Sequence, residues 1–245
     1  MKLAERTFNT DSYTKPKSRS LYGYRINPVT KKEQFHYGED YATQGRKLPL
    51  FPLENGIVRR CGFNKLSGNF VEIDYPRIDL RVFYAHLDKC FVVQGQRVNR
   101  LDSIGITGTT GSSTGIHLHM GVKHISTNEY FNHANFDYQE HYINGKWNEQ
   151  FTRDLQTYFG TTVDGIISGQ LGQRKNISKV KYGLKGSQMV KALQKALGHI
   201  QSGQLDKSTI VALQRALGLI PDGFISETSN TVRILQTRLS EGWLL

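Results

Sequence analysis

The spacing of apolar positions changes halfway along the chain, and the change predicts two kinds of structure. From residue 55 to residue 122, short apolar runs rich in Val, Ile, Phe and Tyr alternate with Gly- and Asn-bearing turns. These runs span residues 55–60, 69–74, 80–86, 89–93, 103–107 and 116–122, lengths and composition that predict β-strands. Strands this short, with little helical periodicity between them, predict an antiparallel sheet. The stretch 105–115, GITGTTGSSTG, is too rich in glycine for a strand and reads as a loop leading into the last one. Asn27-Pro28 marks an earlier turn, and residues 1–20 are polar and read as irregular.

Beyond residue 145 the period becomes helical. Apolar positions recur at three- and four-residue spacing over 149–159, 187–197, 207–217 and 227–239, for example Val190, Leu193 and Leu197. Two of these helices belong to a repeat: LQTYFGTTVDGIIS (155–168) and LQRALGLIPDGFIS (213–226) align without gaps, 58 residues apart. A partial copy starts at Leu193 and a last fragment at Leu235. Gly160, Gly198 and Gly218 are placed to end helices, and Asp-Gly signals the turns that follow. The expected fold is therefore two domains: a β-rich antiparallel-sheet domain over 1–145, then an all-α helical repeat domain over 146–245.

Charge and composition narrow the function. The chain has 245 residues and a formal net charge of +11, which predicts an acidic partner. The excess is spread over both halves, 19 basic against 14 acidic residues up to 145 and 13 against 7 after it, without the basic tail that grips nucleic acid. A DNA-binding reading has only charge behind it. Cys61 and Cys90 cannot build a disulfide framework and form no CxxC zinc knuckle. No apolar run reaches membrane-spanning length, and the first residues lack the apolar core of a secretory leader. The expectation is a protein made in the cytoplasm, without membrane insertion and with no nucleic-acid partner.

The candidate chemistry centres on His117-Leu118-His119. On a strand, residues two apart share a face, so both imidazoles would project together, a start for a zinc site. Two other stretches could add ligands: His36-Tyr37-Gly38-Glu39-Asp40, and Phe83-Tyr84-Ala85-His86-Leu87. With HYGED (36–40), YAHL (84–87), VVQGQRV (92–98) and GITGTTGSSTGIHLHMGV (105–122) in that order, residues 20–125 resemble the lysostaphin-type (LytM-like) zinc metallo-endopeptidases that hydrolyse cell walls. The resemblance implies one Zn2+ per chain, held by His36, Asp40 and His119. It implies that His117 and His86 act in the site without being permanent ligands, His117 as general base and His86 on the tetrahedral intermediate. Tyr22 or Tyr24 could add a hydrogen bond to the substrate. Glu39 stands where the family often has an apolar residue; alternation would turn it away from the metal. His124, His133, His141 and His199 match no motif.

The second half resembles the helical peptidoglycan-binding repeats at the C-termini of phage endolysins, with Trp147, Tyr158, Tyr182 and Trp243 as candidates for stacking on sugars, at least half of them expected to pack in the core instead. Together the resemblances imply a monomeric endolysin that cuts peptide cross-links or cross-bridges of Gram-positive peptidoglycan and also meets anionic wall polymers. It would be made in the host cytoplasm and act on the wall after holin-dependent release, or from outside. The alternative is an inactive wall-binding or hydrolase-activating protein of the same fold. Loops 64–68 and 128–135 are expected to line the cleft.

Overall fold

The computed structural model describes residues 2–8, 20–134, 136–138, 142–172 and 175–245. His141 and most of the polar stretch 9–20 lie outside them. The chain divides into two compact units, Met1–Gln139 and Glu140–Leu245.

The first unit is built on an eight-stranded antiparallel sheet. Its strands are β3 (Glu39–Ala42), β4 (Pro49–Leu50), β5 (Gly56–Asn64), β6 (Gly68–Tyr75), β7 (Leu80–Cys90), β8 (Arg97–Val98), β9 (Gly105–Thr107) and β10 (His117–His124). The main order is β3-β10-β7-β6-β5-β8, with β9 pairing both β7 and β4. A separate hairpin, β1 (Gly23–Ile26) with β2 (Glu33–His36), turns at Asn27, whose side chain accepts from the Val29 and Thr30 N–H groups. The core lies under the long central strands, where Val71, Ile73, Val82, Tyr84, Leu118 and Met120 are buried. Two expectations change. Residues 80–86 and 89–93 are not two strands, because β7 continues past His86 to Cys90. The N-terminal residues are not irregular throughout: Leu3–Phe8 form helix α1, burying Leu3, Ala4 and Phe8.

The second unit corrects the expected all-α helical repeat domain. Its described helices are short: α2 (Glu149–Tyr158), α3 (Gln188–Ala196), α4 (Lys207–Ala216) and α5 (Asn230–Ser240). Between them the chain runs extended rather than turning straight into the next helix. Strands β11 (Ile167–Gln170) and β12 (Val180–Tyr182) pair in parallel. The physical reason is visible in the residues after Asp-Gly: β-branched Ile167 is buried in the core from strand β11, and Ile225, its equivalent in the later copy, is buried from a segment that is not helical. What recurs is a turn tied down by the glutamine of each Leu-Gln pair. The Gln156 side chain accepts from the Asp164 and Gly165 N–H groups and donates to the Ile166 carbonyl. Gln214 does the same with Asp222, Gly223 and Phe224.

In the last copy, Gln236 instead accepts from the Gly145 N–H and donates to the Lys146 carbonyl. Trp147 lies in the core of the second unit, 2% exposed, with Nε1 donating to Thr152, which removes it as a sugar-stacking surface. Tyr158, Tyr182 and Trp243 are exposed. Among the described residues no helix is long and apolar enough to cross a membrane.

Candidate metal centre

Antiparallel pairing brings the site together. β10 lies against β3 with His119 opposite Asp40 and His117 opposite Ala42, so the two histidines and the carboxylate share one face. His36 closes β2, and Gly38 lets the chain pass on to Asp40. A Cβ at Gly38 would lie 2.5 Å from the Met120 carbonyl and 2.8 Å from the His119 ring, so no side chain fits between the two ligands.

Three atoms converge: His36 Nε2 lies 2.9 Å from His119 Nδ1, His119 Nδ1 lies 2.9 Å from Asp40 Oδ1, and His36 Nε2 lies 3.2 Å from Asp40 Oδ1. His36 Nδ1 donates to the Leu21 carbonyl at 2.9 Å, which leaves the Nε2 lone pair facing the others. Such lone pairs repel unless a cation sits among them. Tetrahedral zinc with ligands about 2.0–2.1 Å away separates its donors by roughly 3.3 Å, close to the spacing here. The donor set, two imidazoles and one carboxylate, suits zinc and leaves a coordination position open. Burial acts to raise the Asp40 carboxyl, but hydrogen bonds and charge from His119 and His36 hold it well below the usual range. Burial lowers the His119 imidazole. At neutral pH Asp40 is therefore a carboxylate and His119 an uncharged imidazole, the charge states in which such groups bind a metal.

His86 and His117 stand beside this triangle, their ring centroids 4.7 Å apart. His119 pairs with Ala85 of β7, so a regular strand would turn His86 to the opposite face. His86 has φ 61° in the left-handed region, next to register shifts on both sides of β7, and this turn brings its ring to His117. Its Nδ1 donates to the Thr110 carbonyl at 2.9 Å, and His117 Nδ1 donates to the Gly115 carbonyl at 2.8 Å. The glycine-rich loop thus sets the same tautomer in both rings. Burial pushes the His86 imidazole down to about 4.

A cleft of about 760 Å³ opens over these residues. Tyr24, Ile26 and Val29 of the hairpin and its turn form one wall, Ser112 to Ile116 the other, with Asp40, His86 and His117 also lining it. Tyr24 is 78% exposed there. Tyr22 is not available in the same way, since its hydroxyl donates to the Tyr130 carbonyl at 3.1 Å. Loops 64–68 and 128–134 are not among the lining residues, and Asn135 lies outside the described ones.

Sequence reasoning missed Arg25. Its guanidinium donates to Asp40 Oδ2 at 2.7 Å from the neighbouring hairpin. One carboxylate oxygen thereby faces the histidines while the other is held by a cation. The signal was slight: an arginine two residues before the Asn-Pro turn.

Glu39 turns away from the site, as alternation requires, into a buried cluster with Tyr41 and His133. The Tyr41 hydroxyl donates to Glu39, and His133 Nε2 lies 3.8 Å from the same carboxylate. Burial raises the Glu39 carboxyl and pushes the His133 imidazole down to about 3. A histidine whose folded pKa lies below its ordinary 6.5 stabilises the fold above pH 6.5 and loses that contribution as pH falls towards 3. In that window His133 is expected to cost about 1.4 kcal/mol of stability per pH unit lowered. Glu39 acts in the opposite sense, so the useful measure is the difference between wild type and His133→Gln in denaturant unfolding. The two pH curves should converge on acidification; parallel curves would show that His133 takes no part. His124 stacks on Phe131, and His199 bonds Ser208.

Comparison with known proteins agrees with this geometry. The model of Peptidase family M23 matches residues 34–133. An uncharacterized metalloprotease of Buchnera aphidicola is 37% identical over 98 residues, 40% of this chain and 26% of that protein. The peptidoglycan DD-endopeptidase ShyA of Vibrio cholerae is 37% identical over 95 residues, 39% of this chain and 22% of that protein. The chain thus spans about a quarter of the length of the curated relatives it matches. A crystal structure of a zinc-containing peptidase from Vibrio cholerae covers 54% of this chain and 39% of its own, at 29% identity and a TM-score of 0.46. Residues 34–133, the stretch that matches the model of Peptidase family M23, hold all five histidine and aspartate positions of the site: His36, Asp40, His86, His117 and His119.

Proposed function

We propose that this protein is a zinc-dependent endopeptidase that hydrolyses peptide cross-links or cross-bridges of peptidoglycan. The observation that carries the reading is the convergence of His36 Nε2, Asp40 Oδ1 and His119 Nδ1 beside an open cleft that also reaches His86 and His117. Zinc held there supplies a Lewis acid that acidifies a water and polarises a carbonyl. His86 or His117 takes the water's proton at Nε2, the only ring nitrogen each leaves free. The imidazolium so formed is then a donor for the oxyanion. The Tyr24, Ile26 and Val29 wall holds the peptide, and Arg25 keeps Asp40 in orientation. A retained donor set weighs against the inactive alternative.

The finer reading is a phage endolysin acting on Gram-positive walls, produced in the host cytoplasm, monomeric, with one zinc per chain. Its support is the motif run HYGED, YAHL and GSSTGIHLH together with a second unit bearing exposed aromatics and excess positive charge. That unit would attach the enzyme to the wall and raise its effective concentration on an insoluble substrate. The test is mass spectrometry of fragments released from purified walls of several bacterial genera by the zinc-loaded chain. New amino and carboxyl ends within stem peptides or cross-bridges are expected, and they should vanish on chelation. Intact peptides throughout would overturn the proposal.

A further inference from the structure

The two complete copies of the repeat share a backbone plan but differ in chemistry at one place. In the first copy, Glu149 lies over Gly165 and is neutralised by Arg153 at 2.8 Å and by Lys179. Fifty-eight residues on, the same positions are Lys207, Gly223 and, in place of Arg153, Val211. The Lys207 stem lies across Gly223, where a Cβ would come within 2.5 Å of its Cγ, and its ammonium lies 5.2 Å from the Phe224 ring centroid. The position equivalent to Phe224 in the first copy is Ile166. Phe224 is 64% exposed, a large aromatic side chain left in solvent.

Around Lys207 and Phe224 lies a cleft of about 450 Å³. Its other side is Lys175-Asn176-Ile177, tied down by Asn176 Nδ2 donating to the Ile225 carbonyl at 2.8 Å. Ile177, Ile210 and Ile225 make its buried apolar floor. Asp222 feels the charge of Lys207 but makes no ion pair with it, its carboxylate accepting instead from Gln214 at 2.7 Å and from the Phe224 N–H at 2.8 Å within the turn. Among the described residues Lys175 and Lys207 have no ion-pair partner, in contrast to the neutralised first copy.

We propose that this cleft binds an acidic peptide with small apolar side chains, the chemistry of an uncross-linked peptidoglycan stem. Two ammonium groups on the rim suit carboxylates, while a floor of three isoleucines with a phenylalanine wall suits the methyl groups between them. A polyol phosphate would meet the charge but leave the apolar floor unused. The volume suits a few residues rather than a folded partner. The site would hold stem peptide apart from the catalytic cleft. The identity of the peptide rests on the reading of the substrate as peptidoglycan; the acidic-peptide chemistry does not.

The test is calorimetric titration of the full chain, carrying His117→Ala to prevent turnover, with a synthetic stem pentapeptide and separately with glycerol phosphate oligomer. Lys175→Glu with Lys207→Glu should weaken pentapeptide binding roughly tenfold or more, and Phe224→Ala should weaken it severalfold. On the otherwise wild-type chain the same three substitutions should leave zinc content and cleavage of a short soluble peptide unchanged, which guards against misfolding. Pentapeptide affinity indifferent to all three substitutions, or binding of the phosphate oligomer in preference to the peptide, would overturn the proposal. A chain that binds pentapeptide through the lysines but cuts no wall would keep the acidic-peptide site while removing the peptidoglycanase reading.

Discussion

Replacing His119 by alanine is expected to leave the purified protein with little zinc after dialysis and to reduce peptide cleavage by roughly three orders of magnitude or more. His119 supplies one of only three converging donors, and its Nδ1 stands 2.9 Å from both of the others. Two donors cannot complete the closed side of a catalytic zinc site. Asp40→Ala should behave alike, for an added reason. It removes the carboxylate that compensates the cation and takes away the Asp40 oxygen that Arg25 holds at 2.7 Å. Arg25→Met gives a graded comparison, since all three donors stay in place while the grip on Asp40 Oδ2 is lost. Partners of metal ligands typically matter by about 10–100-fold in affinity, and a weakening of that size is expected in chelator competition. Stoichiometric zinc with normal cleavage in His119→Ala would remove this residue from the site.

The site was more legible in the sequence than the scaffold of the second half, and the difference has physical causes. His117 and His119 could be placed on one face because strand alternation is strict, and Glu39 could be turned away from the metal by the same rule. Arg25 could not be found this way. Its tie to Asp40 runs from one hairpin to another strand, which periodicity does not encode. His86 sits where alternation would give the wrong face, and only a left-handed residue within β7 corrects it. In the second half, apolar spacing identified the helices well, since each buries an apolar stripe, Phe151 and Leu155 in one and Val190 and Leu193 in the next. It said little about what joins them. Short segments such as Gly165-Ile166-Ile167 carry too few residues for a period, and their form is set by Gln156 reaching back from the preceding helix. The glutamine was visible as a repeat, but its role depends on hydrogen bonds to backbone groups eight to ten residues away. Sequence alone left Trp147 between core and surface, because its large ring fits either; the structure puts it in the core.

His86→Ala and His117→Ala are each expected to keep zinc and lose roughly two to four orders of magnitude in rate, the range for a general base. The loops decide what these rings can do. With Nδ1 donated to the Thr110 and Gly115 carbonyls, a neutral ring offers the site only an acceptor at Nε2. Neither ring can therefore donate to an oxyanion until it has gained a proton, and rings this close do not both hold one readily. One proton shared by the pair serves first as the product of base catalysis and then as the donor. Removing both histidines should consequently cost far less than the product of the single losses, as for residues that act as a unit. With His86 as the base, the pH dependence follows from its imidazole, pushed down to about 4 chiefly by burial. A base must be unprotonated, so cleavage of a soluble peptide should rise with pH through about 4 and stay level towards neutrality. If His86 is the base, the acid limb should move in His86→Ala. Loss of zinc from either single variant would make that histidine a ligand instead, and multiplicative losses in the double variant would show that the two rings work independently.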